Sequence, residues 1–202
     1  MAVLLLDPVV GFDAAIAPTL FGAATDAHGR PLYDVVTCGV TTAPVSATTG
    51  FGVLPQAGAE VLATADTVVI PGTRYRPARI EGRLDAEVAD ALARIPARTR
   101  KVSICTGAFV LAAAGLLDDR PATTHWRYAD DLRALYPRVR VDENVLFVDD
   151  GDVLTSAGLA AGLDLCLHVI RRDHGAQAAN AVARYCVVSP WREGGQAQFI
   201  ES

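Results

Sequence analysis

The chain has 202 residues, 51% of them hydrophobic and 20% charged, with a net charge of −5. That length builds one large domain or two small ones around a substantial core, and the acidic balance excludes a chain that grips a phosphate backbone by its own charge. No apolar run reaches the roughly 18 residues of a membrane span, and "MAVLLLDP" meets Asp7 and Pro8 too early for a signal peptide, so the expectation is a cytoplasmic protein with no membrane partner.

In chain order, short β-branched runs alternate with helical patterns. Strands are predicted at 2–6, 33–39, 67–70 and 101–104, each followed by a glycine- or proline-marked loop and a candidate helix. That rhythm predicts a parallel α/β sheet. Leu84, Val88, Leu92 and Ile95 recur at helical spacing until Pro96, which predicts a surface helix on one face of the sheet. By contrast "GAFVLAAAG" (107–115) is apolar all round and ends at a glycine suited to a C-cap, which predicts a central, buried helix. The stretch 139–158 reads as strands around an Asp150-Gly151 turn, a hairpin appended to the parallel core. Two helices follow near 158–173 and 175–187, with Asp164 and His168 four residues apart as a structural pair along the first. The tail from 188 loses periodicity at Pro190 and Gly194-Gly195 and carries no packed element of its own.

The four cysteines, Cys38, Cys105, Cys166 and Cys186, form no CxxC, which predicts neither a zinc site nor a disulfide framework, and no other metal or cofactor is expected. Cys38, Cys166 and Cys186 read as inert core residues. Cys105 differs because a strand delivers it directly into the helix after it. This is the nucleophile-elbow arrangement, with Gly107 limiting crowding beneath, and the unpaired helix N–H groups are expected to stabilise a thiolate. Against that stands the plain alternative of a small buried side chain. The short "GFG" at 50–52 lacks the βαβ context of a dinucleotide site. Lys101 is the only lysine in a chain rich in arginine and alanine, a bias read as compositional and not as a functional patch.

Several stretches together, "ICTGAFVLAAAGLLDDRPATTHW" (104–126), "ADTVVIPG" (65–72), "GFDAAIAPTLFG" (11–22) and "LTSAGLAAGLDLCLHVIRRDHG" (154–175), resemble the ThiJ/PfpI superfamily of the class I glutamine amidotransferase-like fold. The resemblance covers essentially the whole chain. It implies a flavodoxin-like three-layer α/β sandwich with a mostly parallel central sheet and an elbow cysteine. Within the superfamily the run from Cys105 through "ATTHW" is similar to isocyanide hydratases and to the amino-terminal sensor domain of AraC-type transcriptional regulators, and "REGGQAQFIE" (192–201) is similar to the segment leading from that sensor toward a helix-turn-helix domain.

Carried over by position, Cys105 matches the elbow cysteine, Asp13 the acidic residue near it, Gly72 a glycine lining an oxyanion site, and His125 the histidine in the loop beyond the elbow helix. For Asp13 the alternative is a helix N-cap, and for His125 a cap or a packing partner of Trp126. Thr73 stands where hydrolytic members often carry a second glycine, which predicts crowding by its Cβ and hydroxyl. Thr106 replaces the histidine of PfpI-type peptidases.

The resulting expectation is a ThiJ/PfpI-like domain over 1–188 and a linker over 189–202 toward an absent DNA-binding domain. A small molecule is expected to bind at Cys105, Asp13, Gly72, Thr73, Thr106, Gly107 and His125 of a homodimer, and DNA is contacted only through the missing part. The alternative implied by the resemblance is an isocyanide hydratase in which the Cys105 thiolate attacks the isocyanide carbon and Asp13 serves as acid and base, water being consumed to give an N-substituted formamide. A third reading, a redox or aldehyde-protective protein, needs an accessible low-pKa Cys105 thiol.

Overall fold

A computed structural model describes residues 1–198. Its central sheet is built from β1 (Ala2–Leu4), β2 (Val36–Cys38), β5 (Thr67–Ile70), β6 (Arg100–Ile104), β9 (Phe147–Asp150) and β10 (Val153–Ser156), in the order β2-β1-β5-β6-β10-β9. Every pairing is parallel except that of β9 with β10. Two small pairs stand apart: β3 (Val45–Ser46) with β4 (Gly52–Val53), and β7 (Pro121–Ala122) with β8 (Arg140–Val141).

Parallel strands are covered on both faces, so consecutive residues feed opposite cores. Val3, Val69, Val102 and Leu154 point to one side, where α1 (Gly11–Gly22) and α6 (Ala160–Tyr185) pack. Ala2, Leu4, Val68, Ile70 and Val153 point to the other. There they meet α2 (Arg76–Ile80), α3 (Ala86–Ala93), α4 (Gly107–Ala113) and α5 (Ala129–Leu135). Three layers result. Helix α4 sits deepest: Phe109, Val110 and Leu111 are fully buried, and each contributes about 2–3 kcal/mol by leaving water.

The predicted strands and helices are present, with three corrections. The 139–158 hairpin turns at Gly151, but β10 is a full member of the parallel core beside β6; only β9 is appended. Helix α6 is broken where expected, at Gly175, whose φ of 86° and ψ of 173° leave the helical region. Asp164 and His168, however, do not pair. His168 bonds Asp149 at 2.7 Å, and Asp164 is buried under the tail by the Arg192 guanidinium, whose Nε lies 3.0 Å from it. Each side chain finds a better-placed partner across the fold than along its own helix.

The tail is also more ordered than its composition suggests. Gly194 O accepts the Leu146 amide at 2.7 Å, and the Gln198 side chain bonds Val145 O and Thr124 O while accepting the Trp126 amide at 2.9 Å. The last four residues of the expected linker lie outside the described part. None of the described helices is long and apolar enough to cross a membrane.

Candidate functional site

Strand order fixes where the site must be. The chain leaves β1 toward β2 and returns to β5 on its other side, so the loops after β1 and β5 diverge and open a crevice at the carboxyl ends of the strands. Asp13 arrives from the first loop and helix, Gly72 and Thr73 from the loop after β5, Cys105 from the end of β6 and Gly158 from the end of β10.

Cys105 has φ of +54°, a conformation costly for a side chain with a Cβ. Its surroundings hold it there. Its amide donates to Ser156 O at 2.9 Å, and its carbonyl accepts the Thr124 hydroxyl at 2.9 Å and the Ala108 amide at 3.3 Å. Gly158 presses from one side: a Cβ there would lie 2.2 Å from Cys105 Cβ, and its own φ is +88°. Gly72 presses from the other, since a Cβ would lie 2.2 Å from Asp13 Oδ2 and 3.2 Å from Cys105 Cβ. Gly107 abuts the Ile70 carbonyl beneath the turn, the crowding relief expected of it.

Asp13 is fully buried in the first turn of α1 and does not cap that helix. Its Oδ1 accepts the Leu159 amide at 3.1 Å, while Oδ2 makes no hydrogen bond among the described residues and faces Cys105 and Gly72. Burial pushes the carboxyl up to about 6, against the pull of the Leu159 amide. Burial, and then the Asp13 charge, push the Cys105 thiol up to about 12.

This corrects the expectation of a stabilised thiolate. The Thr106 amide and hydroxyl do favour the ionised sulfur, but a helix end contributes only about 0.3–1 kcal/mol, less than one tenfold step in acidity. Cys105 is 5% exposed, and its desolvation wins. Cys38 and Cys166 are buried with thiols raised by desolvation, as expected of core residues, whereas Cys186 is only half-buried.

Thr73 is also corrected. Its side chain turns away from the crevice, its hydroxyl proton shared between Leu6 O and Pro8 O at 3.1 and 3.0 Å while the oxygen accepts the Tyr75 amide. What occupies the oxyanion position is Thr106: its hydroxyl accepts the Thr73 amide at 2.9 Å and donates to Thr73 O at 2.7 Å. The donor is consumed by a neighbour and not blocked by a Cβ.

Above these residues lies a cavity of about 550 Å³, in the range of small-molecule sites. Of the expected site residues Cys105, Thr73, Thr106 and His125 line it, while Asp13, Gly72 and Gly107 stand behind that surface. His125 lines the cavity, and its Nδ1 accepts the Arg127 amide at 3.2 Å to cap a short turn. Burial, and then the Arg127 charge, hold its pKa below the usual value.

The sequence reading missed the rest of the wall. Val10, Ile80 and Leu159 supply aliphatic surface, Trp126 and Tyr128 aromatic surface, and Arg74, Arg79 and Arg127 three cations. Arg79 is 9% exposed, with its guanidinium 4.2 Å from the ring centres of both Phe109 and Tyr128. The clustered "TRYRPARI" (73–80) and "HWRY" (125–128) were the available signal. Among the described residues no group of three His, Cys, Asp or Glu side chains is arranged to hold a metal.

Comparison with known proteins agrees with this geometry. A family model described as the DJ-1/PfpI family matches residues 23–172. The HTH-type transcriptional regulator GbdR of Pseudomonas aeruginosa is 30% identical over 181 residues, 89% of this chain and 48% of that protein. The isonitrile hydratase of Pseudomonas putida is 34% identical over 155 residues, 75% of this chain and 65% of the enzyme. The crystal structure of an AraC family transcriptional regulator from Pseudomonas putida superposes with a TM-score of 0.74 at 21% identity, covering 92% of this chain and 97% of that one. The chain thus spans about half the length of the GbdR regulator it matches.

Proposed function

The chain belongs to the DJ-1/PfpI family, and from that premise we propose that it is the ligand-sensing domain of an AraC-type transcriptional regulator. In this reading a small molecule enters the cavity beside Cys105, and the segment after residue 188 leads to a helix-turn-helix domain that contacts DNA. The regulator works in the cytoplasm as a homodimer, whose two readers suit two half-sites. Cys105, Thr73, Thr106 and His125 meet the ligand, and Asp13, Gly72 and Gly107 hold the shape of the floor. The observation that carries the proposal is geometric: a cavity of about 550 Å³ opens beside Cys105, and the Thr73 amide next to it is already bonded to the Thr106 hydroxyl.

A second reading, isonitrile hydration, is favoured by one feature, the Asp13 carboxyl at about 6 facing Cys105. One experiment separates the two. Purified residues 1–202 are incubated with cyclohexyl isocyanide, and formamide production is followed for wild type and Cys105→Ala. The sensor reading expects no turnover above background by either protein; robust turnover that vanishes in Cys105→Ala makes the protein an enzyme. Alongside, gel shifts with the operon's upstream region are expected to show no specific binding by this acidic chain alone, and specific binding would overturn the division of labour.

A further inference from the structure

Resting on the ligand-sensing reading, we infer that the cavity takes a small carboxylate and that Arg79 is the residue that recognises it. The argument begins with what Arg79 lacks. Its Nη1 is buried with no hydrogen-bond partner among the described residues. The ion pairs of its neighbourhood join Arg76 and Arg83 to Glu81, and Arg133 to Asp130 and Glu143, and pass Arg79 by. Asp131, the acid whose charge it feels, is exposed and makes no ion pair with it.

A guanidinium stays charged at any pH the protein meets, so burial without a partner leaves it destabilised until an anion arrives. Its guanidinium carbon lies over the rings of Phe109 and Tyr128, 4.2 Å from each ring centre. Those contacts pack the group against two rings and leave its N–H edge, Nη1 included, without a hydrogen-bond partner among the described residues. A carboxylate is planar, singly charged and matched to that edge by two parallel hydrogen bonds. Arg79 lies in the cavity wall, Arg74 and Arg127 add positive potential at exposed positions of the same wall, and the rest of the wall is largely aliphatic or aromatic. The ligand this describes has a carboxylate head and a compact, largely apolar body.

The test is calorimetric titration of residues 1–202 with straight-chain, 2-hydroxy and 2-amino monocarboxylates of two to eight carbons, each beside its primary amide. At least one acid is expected to bind, at least 30-fold more tightly than its amide, and to lose most of that affinity in Arg79→Gln but only part of it in Arg79→Lys. The acid–amide contrast needs no variant, so it stands even if Arg79→Gln fails to fold. Equal affinity for acid and amide, or undiminished binding by folded Arg79→Gln, overturns the assignment of Arg79 and leaves the sensing reading in place. Binding by no compound of either kind overturns both.

Discussion

Cys105 is expected to be a slow thiol, and the size of the effect follows from its burial. With the thiol raised to about 12, roughly one molecule in 30,000 is ionised at pH 7.5, against roughly one in ten for a free cysteine of pKa about 8.5. A more basic thiolate is intrinsically a better nucleophile, and a Brønsted coefficient of about 0.45 returns a factor of roughly 40. The net expectation is a rate with a neutral disulfide such as 4,4′-dithiodipyridine about a hundredfold below that of free cysteine, before any steric hindrance. Half-buried Cys186 should therefore react first, the reverse of what the strand-to-helix position of Cys105 alone suggests. The assay uses variants retaining only Cys105 or only Cys186, followed by stopped flow from pH 6 to 10. The logarithm of the Cys105 rate should climb with unit slope across the whole range. A plateau beginning below pH 8, or Cys105 outpacing Cys186 at pH 7.5, would refute the reasoning and restore the activated nucleophile.

Two other predictions concern the floor of the cavity. Gly158→Ala places a Cβ against Cys105 at a left-handed φ and should cost on the order of 2–5 kcal/mol in urea unfolding; Cys105→Gly in the same chain should recover part of the loss, and strict additivity would show that the two do not touch. Asp13 makes stability pH-dependent: its carboxyl, about 6 when folded and about 3.9 when unfolded, carries no penalty below pH 4, loses stability as pH rises to 6, and above that costs at most about 3 kcal/mol. The stability of wild type relative to Asp13→Asn should therefore fall between pH 4 and 7, and a constant difference would mean that Asp13 titrates normally.

Much of the sheet was legible because parallel strands covered on both faces favour β-branched, apolar runs, as Thr67–Ile70 is throughout. The elbow could be read from a strand running straight into an all-apolar helix. The ionisation of Cys105 could not, because it depends on how much water the fold removes from the sulfur, and no local pattern encodes that. Arg79 escaped for a related reason. An arginine after Pro77 in an arginine-rich chain looks like surface, and only the approach of Phe109 and Tyr128, thirty and forty-nine positions further on, buries it. The packing of the tail left no signal in the sequence because its anchors are backbone carbonyls, the Gln198 amide and the Arg192–Asp164 ion pair, none of which makes a hydrophobic period.

The same anchors join the cavity wall to the tail. The short turn at 125–128 has a contact on each side: Tyr128 stacks on Arg79, while the Trp126 amide is held by Gln198 in the tail. Thr124, one residue earlier, ties Cys105 O to the same glutamine through its hydroxyl and its carbonyl. A carboxylate that bonded the Arg79 edge would therefore act on an element the tail already holds, with no long relay between them. Breaking a buried pair costs about 3–5 kcal/mol, which bounds from above what a counter-ion gains at a buried, unpaired arginine once its own desolvation is counted. A full switch between two arrangements requires about 5.5 kcal/mol of differential binding. If the guanidinium edge is offered in one arrangement of the 125–128 turn and covered in the other, that one contact supplies only part of the requirement, and the apolar walls must supply the remainder.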